Sequence, residues 1–329
     1  MTTENNTTPP MVLITRKIPK AALERVQEAC QIRYWDSEDP IPRETLLEYI
    51  AGVDGLYCML TEKVDAELLD AAGPQLKVVS TMSVGYDHVD TAACAARSIP
   101  LGNTPGVLTD TTADLALGLL LTTARRLQES ADAVKNGEWT TWKPEWMTGP
   151  DVYGSTVGIV GLGRIGATFA KRLTSFDCRL IYSGPRPKPE VAEPLGATYV
   201  AFDELLAQSD FVAIHCPLND ATKNLFNAEA FGKMKPTAML INTSRGGTVD
   251  QEALYDALVN GEIAGAGLDV TTPEPLPTDH PLLTLKNCVI LPHIGSASIA
   301  TRTNMALIAA ENVIAGSLGQ PLPHGVDIG

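Results

Sequence analysis

Several features that mark secreted, membrane-spanning or nucleic-acid-binding chains are scarce or missing here. The six cysteines, at positions 30, 58, 94, 178, 216 and 288, include no Cys-x-x-Cys pair. That scatter fits neither a zinc site nor a disulfide framework, and it suits a reducing cytoplasm. No His/Cys/Asp cluster has metal-ligand spacing, so no metal is expected. Cations are in deficit, 25 Lys and Arg against 39 Asp and Glu, for a net charge of −14. Binding nucleic acid needs a basic face, so nucleic acid is excluded as a partner. The longest apolar stretch, Leu115–Leu121, is far short of the ~20 residues a membrane span requires. Met1–Pro10 is polar, without a basic start or an apolar centre, and reads as a frayed tail rather than a signal peptide. The final Asp-Ile-Gly is not the peroxisomal Ser-Lys-Leu address. No internal repeat or low-complexity tract is evident. The expectation is a soluble, cytoplasmic protein.

What is present is core material. With 44% hydrophobic residues in 329, the chain exceeds what one core usually supports, and two domains are expected. Strand-like apolar runs alternate with amphipathic stretches from end to end, which predicts an α/β fold with parallel sheets. The first set of runs is Met11–Ile14, Gln31–Trp35, Val53–Leu60, Leu76–Ser80 and Ile99–Gly102, with helices such as Lys20–Cys30 and Ala66–Ala72 between them. The second set is Thr156–Val160, Arg179–Tyr182, Ala197–Val200, Phe211–His215, Ala238–Asn242, Gly265–Val270 and Val289–Leu291. Between the sets, one long helix is predicted from Thr109 to about Asn136, buried between domains around Leu115–Leu121 and stopped by Gly137. A last helix, Ile299 to about Gly316, is expected to return to the first domain. The first domain is therefore discontinuous, 1–106 and 297–329, around a second at 107–296.

Gly161-Leu162-Gly163-Arg164-Ile165-Gly166 follows the run Thr156–Val160 and opens the helix Ala167–Leu173. A G-x-G-x-x-G between strand and helix is a strong dinucleotide signal. The first glycine permits a tight turn, the second lets a pyrophosphate approach the backbone, and the third lets helix and strand pack closely. An acidic residue about 20 positions on would select NAD. Here Ser183 stands at the strand end, seventeen residues past Gly166, followed by Arg186 and Lys188. Two cations suit a 2′-phosphate, so NADP is expected to be preferred over NAD.

Three later runs each open into turn sequence bearing one polar residue of a different kind. Met239–Ser244 leads to Arg245; Ala264–Val270 leads through Asp269 to Glu274; Val289–Pro292 leads to His293. If these runs are neighbouring parallel strands, all three residues project from the sheet's carboxyl edge, where open α/β sheets bind ligands. A cation, a carboxylate and an imidazole there suit an anionic substrate that gains or loses a proton. In so acidic a chain, a carboxylate substrate needs a local positive pocket, which singles out Arg245.

From about Val12 to Gly316 the chain resembles the D-isomer-specific 2-hydroxyacid dehydrogenases. The matching stretches are Ser83–Asp87, the Gly161 fingerprint, Asn242–Gly246, Gly267–Val270, Pro273–Pro275 and Pro292–Ser296. The runs Asp269–Pro277 and Trp139–Pro144 point to the glyoxylate/hydroxypyruvate reductase branch. The resemblance implies a flavodoxin-like substrate domain and a Rossmann cofactor domain with the active-site cleft between them. It implies reduction of small 2-oxo acids by NADPH without a metal, with His293 as general acid, Glu274 pairing with it, and Arg245 holding the substrate carboxylate. Val84 and Gly85 would offer backbone N–H groups to the same carboxylate, and Ser296 would also line the substrate site. Asp269 would sit by the nicotinamide, and Cys216, Pro217, Thr243 and Gly295 would line the cofactor cleft. Trp142 would reach into a neighbouring subunit's site, which implies a homodimer. His88, His280 and His324 read as surface or turn residues, and His215 as a strand-end residue that faces the cofactor without catalysing. Two other readings remain open: a D-lactate or D-3-phosphoglycerate type of the same family, and a non-catalytic NAD(P)-sensing protein of the co-repressor kind.

Overall fold

A computed structural model describes residues 8–328. The chain divides into two compact units, one running to Leu108 and resuming at Ala297, the other Thr109–Ser296. The first unit contains β1 (Met11–Ile14), β2 (Gln31–Tyr34), β3 (Gly55–Cys58), β4 (Val78–Thr81) and β5 (Leu101–Gly102). The second contains β6 (Thr156–Val160), β7 (Arg179–Ser183), β8 (Thr198–Tyr199), β9 (Phe211–Ile214), β10 (Met239–Asn242), β11 (Gly265–Leu268) and β12 (Cys288–Ile290). A thirteenth strand, β13 (Gly325–Val326), returns to the first unit.

The first sheet has the order β13-β5-β4-β3-β1-β2, the flavodoxin-like winding with one added edge strand. That edge corrects the expectation of a purely parallel sheet, because β13 pairs antiparallel with β5. Two residues at the end of a chain carry too little pattern to read as a strand, and their pairing comes only from the return of the last helix. That helix, Ile299–Ser317, is capped by Ser298, whose hydroxyl accepts the Thr301 N–H at 3.2 Å. It packs on the sheet, where the buried Tyr57 hydroxyl donates to the Ala306 carbonyl at 3.1 Å. Val12, Leu13 and Ile14 are fully buried on β1, each worth about 1.5–3 kcal/mol of burial. Both faces of the sheet are covered, which explains a continuous apolar run in place of alternation.

The second sheet, β12-β11-β10-β9-β6-β7-β8, is parallel throughout. Its order reverses beside β6, and β6 leads into the glycine fingerprint, so that loop lies at the topological switch point. Two cores flank the sheet, one around Phe226, Phe231 and Leu240, the other around Phe169, Ile159 and Leu120. The segment predicted as a single helix is two, Thr109–Ala124 and Leu127–Lys135, separated by a left-handed turn at Arg126 with φ +52°. The backbone at Gly149 crowds the Ala124 carbonyl so closely that a Cβ there would clash. The break thus answers a contact 25 residues away, which no local periodicity records. Within Leu115–Leu121, the buried Ala116, Leu119 and Leu120 belong to the second unit's own core. Among the described residues no helix is long and apolar enough to cross a membrane, and the six cysteines carry free thiols.

Candidate active site

The glycine loop has the shape a dinucleotide needs. Gly161 adopts φ +96°, and a Cβ there would stand 2.7 Å from the Cys216 nitrogen. A Cβ on Gly166 would strike the Gly161 carbonyl, whereas Gly163 faces open space. Gly163 is also the N-cap of the helix Arg164–Leu173 and supplies no side chain to its first N–H groups. An uncapped helix start behind an open glycine leaves donors and the positive end of the helix dipole for a phosphate. Leu162 is buried, Arg164 exposed and Ile165 half-buried. The neighbouring strand end joins this loop. The Ser183 carbonyl accepts the Gly161 N–H at 2.9 Å, and Lys188 Nζ donates to the Leu162 carbonyl at 3.2 Å. Tyr182 fixes Lys188 further by accepting its N–H at 2.8 Å. Arg186 is exposed.

The other edge residues converge as the sheet register requires. Asn242 pairs with Leu268, and Leu268 with Ile290, so β10, β11 and β12 end level and their following turns stand side by side. His293 Nδ1 lies 2.8 Å from Glu274 Oε2. The other carboxylate oxygen of Glu274 accepts the Thr271 N–H at 2.9 Å. Burial opposes ionisation of Glu274, yet the hydrogen bond and charge of His293, the Thr271 N–H and the charge of Arg245 together hold its carboxyl below the usual glutamate value. Glu274, lying between two cis prolyl bonds, is thus an anion under the influence of both partner residues.

His293 has a left-handed backbone, φ +54°, which costs a non-glycine residue free energy unless the surroundings impose it. Asp269 imposes it. The Asp269 carbonyl accepts the His293 N–H at 2.9 Å. Its Oδ1 accepts the Ile294 N–H at 2.8 Å and its Oδ2 the Gly295 N–H at 2.7 Å. Three consecutive backbone donors are therefore held by one residue. Asp269 is only 1% exposed, and burial pushes its carboxyl up despite the Ile294 and Gly295 N–H groups and the charge of His293. This clamp is a part played by Asp269 that the sequence does not disclose, because its partners lie 25 and 26 residues away.

Arg245 follows β10 in a tight turn, and its Nη1 donates to the Ser244 carbonyl at 2.9 Å. The Ser244 hydroxyl in turn donates to the carbonyl of the buried Cys216. Thr243 and Ser296 are nearly buried at the same edge, and Pro217 is exposed. Asn242, absent from the expected site residues, holds this turn through its side chain. A short amide at a strand end before a turn is a recognisable signal for such bonding. His215 packs against the Phe169 ring at 5.0 Å, and burial pushes its imidazole down to about 4, so it stays neutral at physiological pH. His280 caps the short turn Pro281–Thr284, and His88 Nε2 lies 3.0 Å from the Thr81 hydroxyl.

In the first unit, Val84 and Gly85 follow β4 at the carboxyl edge of that sheet. The Ser83 hydroxyl donates to the Gly85 carbonyl at 2.6 Å, and Asn103 Nδ2 to the Val84 carbonyl at 2.8 Å. With both carbonyls engaged, the loop has a fixed backbone shape. Trp142 is 79% exposed, in a stretch between Gly137 and Pro150 that has no regular secondary structure.

Residues 117–295 match the NAD-binding domain of the D-isomer specific 2-hydroxyacid dehydrogenases. The chain is 55% identical over 316 residues to a human glyoxylate reductase/hydroxypyruvate reductase, covering 95% of this chain and 96% of that one. Among solved structures, a Thermus thermophilus protein superposes with a TM-score of 0.90 at 45% identity, covering 96% of this chain and 99% of that one. An NADPH-dependent glyoxylate/hydroxypyruvate reductase from Sinorhizobium meliloti, solved with NADP and malonate, gives 0.84 at 34% identity with 98% of each chain covered. Switch-point glycine loop, paired imidazole and carboxylate, and similarity along nearly the whole length agree: the chain belongs to the D-isomer specific 2-hydroxyacid dehydrogenases.

Proposed function

We propose that this chain reduces small 2-oxo acids, chiefly glyoxylate to glycolate and hydroxypyruvate to D-glycerate, using NADPH. The observation that carries the reading is the 2.8 Å pair of His293 and Glu274, held beside Arg245 on the sheet that also bears the dinucleotide loop. A nicotinamide cofactor, when bound, supplies the hydride. His293 gives the proton to the substrate carbonyl oxygen from Nε2, since Nδ1 is engaged with Glu274. Glu274 fixes the ring orientation and favours its protonated form. Arg245 grips the substrate carboxylate with its planar fork and polarises the ketone. Ser296 lines the site.

Gly161, Leu162, Gly163, Arg164, Ile165 and Gly166 hold the pyrophosphate; Cys216, Pro217, Thr243, Asp269 and Gly295 border the rest of the cofactor. NADP preference follows from Ser183, Arg186 and Lys188, since no carboxylate stands at the strand end to take a ribose 2′-hydroxyl. Lys188 is the firmer of the two cations because its backbone and ammonium are both held. The working unit is a homodimer in which the exposed Trp142 completes the neighbour's substrate pocket.

The test is a matrix of kcat/KM for glyoxylate, hydroxypyruvate and pyruvate with NADPH and NADH. High values for the first two with NADPH are expected. Equal efficiency with NADH would remove the cofactor assignment. A preference for pyruvate would move the chain toward the lactate type, and no oxidation of either cofactor would indicate a nucleotide-sensing protein. A fully active monomer in sedimentation would dismiss the role given to Trp142.

A further inference from the structure

Asn242 is the last residue of β10 and is completely buried. Its backbone does the work of the sheet, for the Asn242 carbonyl accepts the Asp269 N–H at 2.8 Å. Its side chain does something else. Oδ1 accepts the Ser244 N–H at 3.0 Å. Nδ2 donates to the Arg245 carbonyl at 2.9 Å and to Thr248 Oγ1 at 3.3 Å. The Thr248 hydroxyl donates to the same Arg245 carbonyl at 2.7 Å. All three carboxamide bonds run forward into residues 244–248, and none runs sideways to β9 or β11. The amide orientation is fixed by this pattern, because the reverse would set oxygen against carbonyl and NH2 against N–H.

Gly246 completes the turn. A Cβ there would strike the backbone of Thr271, and Thr271 is the residue whose N–H Glu274 accepts. The turn that carries Arg245 is thus pressed on one side against the base of the Glu274 turn and gripped on the other by Asn242.

We propose that Asn242 is a positioning residue that sets the direction of the Arg245 guanidinium and so controls affinity for the substrate carboxylate. This rests on the reading that Arg245 grips that carboxylate. The side chain has no bond to the glycine loop and two of its three bonds go to Arg245 and Thr248, so its effect falls mainly on the 2-oxo acid. Small misplacements of a binding group cost rate or affinity steeply.

The experiment compares Asn242→Ala, Asn242→Asp, Arg245→Ala and the Asn242→Ala/Arg245→Ala double variant, with glyoxylate and NADPH. Asn242→Ala is expected to raise KM for glyoxylate ~10- to 100-fold while KM for NADPH moves less than about 2-fold. The double variant should be no worse than Arg245→Ala, because the amide acts through a side chain already removed. Asn242→Asp gives a signature that bulk destabilisation would not. Ionised, its carboxylate meets the Arg245 carbonyl oxygen to oxygen; protonated, it donates there as the amide does. Its KM should therefore recover toward wild type on acidification, and that of Asn242→Ala should not. Unchanged KM in Asn242→Ala, or a penalty that adds in full to that of Arg245→Ala, overturns the proposal. If Arg245→Ala itself leaves KM unchanged, the assignment of Arg245 fails and takes this inference with it. Should Asn242→Ala not fold, Thr248→Val carries the test, removing one donor to the Arg245 carbonyl for a rise of roughly 2- to 10-fold in the same KM; no rise there counts against the proposal equally.

Discussion

Each unit presents a carboxylate and a nitrogen base near the carboxyl edge of its sheet, Glu62 with Arg16 in the first and Glu274 with His293 in the second, and the two pairs differ. In the first unit Glu62 is 3% exposed and saturated. It accepts from the Thr15 hydroxyl at 2.7 Å, the Met59 N–H at 2.6 Å, Arg16 at 3.1 Å and the Thr61 hydroxyl at 2.6 Å. Its cation never loses its proton. In the second unit Glu274 faces an imidazole, and both side chains stay a quarter to a third exposed. Sealing a carboxylate against a permanent cation makes a brace; leaving it partly open against a titratable ring gives the arrangement proposed above as a proton donor. Charge pairing alone therefore says little about function, and the partner's chemistry and exposure decide it.

Removing each pair in turn separates the two roles. His293→Ala should lower kcat by ~10²–10⁴ while NADPH affinity, read by fluorescence titration, stays close to wild type. Near-normal turnover would return the second pair to the structural class. Glu62→Ala should act on stability, because it strands Arg16 and several donors in a nearly closed site. A loss of about 3 kcal/mol in urea unfolding is expected, with the shape of the pH–rate profile retained. A changed profile would mean that both pairs serve the reaction.

Two substitutions around His293 act more mildly. Asp269→Asn sets an NH2 group against one of the N–H donors it now accepts, loosening the turn of His293. A fall in kcat of about 10-fold is expected, and unchanged kcat would show that the left-handed His293 backbone holds without the clamp. Glu274→Gln should reduce kcat less than His293→Ala does and move the alkaline limb of the profile to lower pH, since a neutral amide favours the protonated ring less. An unmoved limb would argue against the pairing.

The same substitution has the smallest predicted effect, on stability. The Glu274 carboxyl lies below its ordinary value in the folded state, so an unfolded chain takes up the proton first. The stabilisation is fully present above about pH 5 and disappears as pH falls below about 4.5 toward the depressed folded-state value. Solvent screening keeps it below about 1 kcal/mol. The stability gap between wild type and Glu274→Gln should therefore close in acid. A gap that persists at pH 3 would mean that the variant loses packing rather than charge.

Much of this was legible in the sequence. The runs that became β1, β6 and β10 stood out because strands covered on both faces are apolar without alternation. The glycine spacing announced its loop, since each glycine answers a separate steric demand. Arg245, Glu274 and His293 could be aligned because neighbouring parallel strands end together. Glu274 illustrates the limit: its place at the edge could be read, but not the hold on Thr271 that shapes its turn.

The order of residues alone thus determined two wound α/β units, the dinucleotide loop and the charged turns, because these follow from periodicity and local backbone demands within a few positions. Tertiary structure alone decided the break at Arg126, the antiparallel β13, the clamp by Asp269 and the saturation of Glu62. Each depends, wholly or for its decisive bonds, on groups more than twenty residues apart in the chain, whose meeting is set by how the packed layers bring strand ends and turns together, a distance no local pattern encodes.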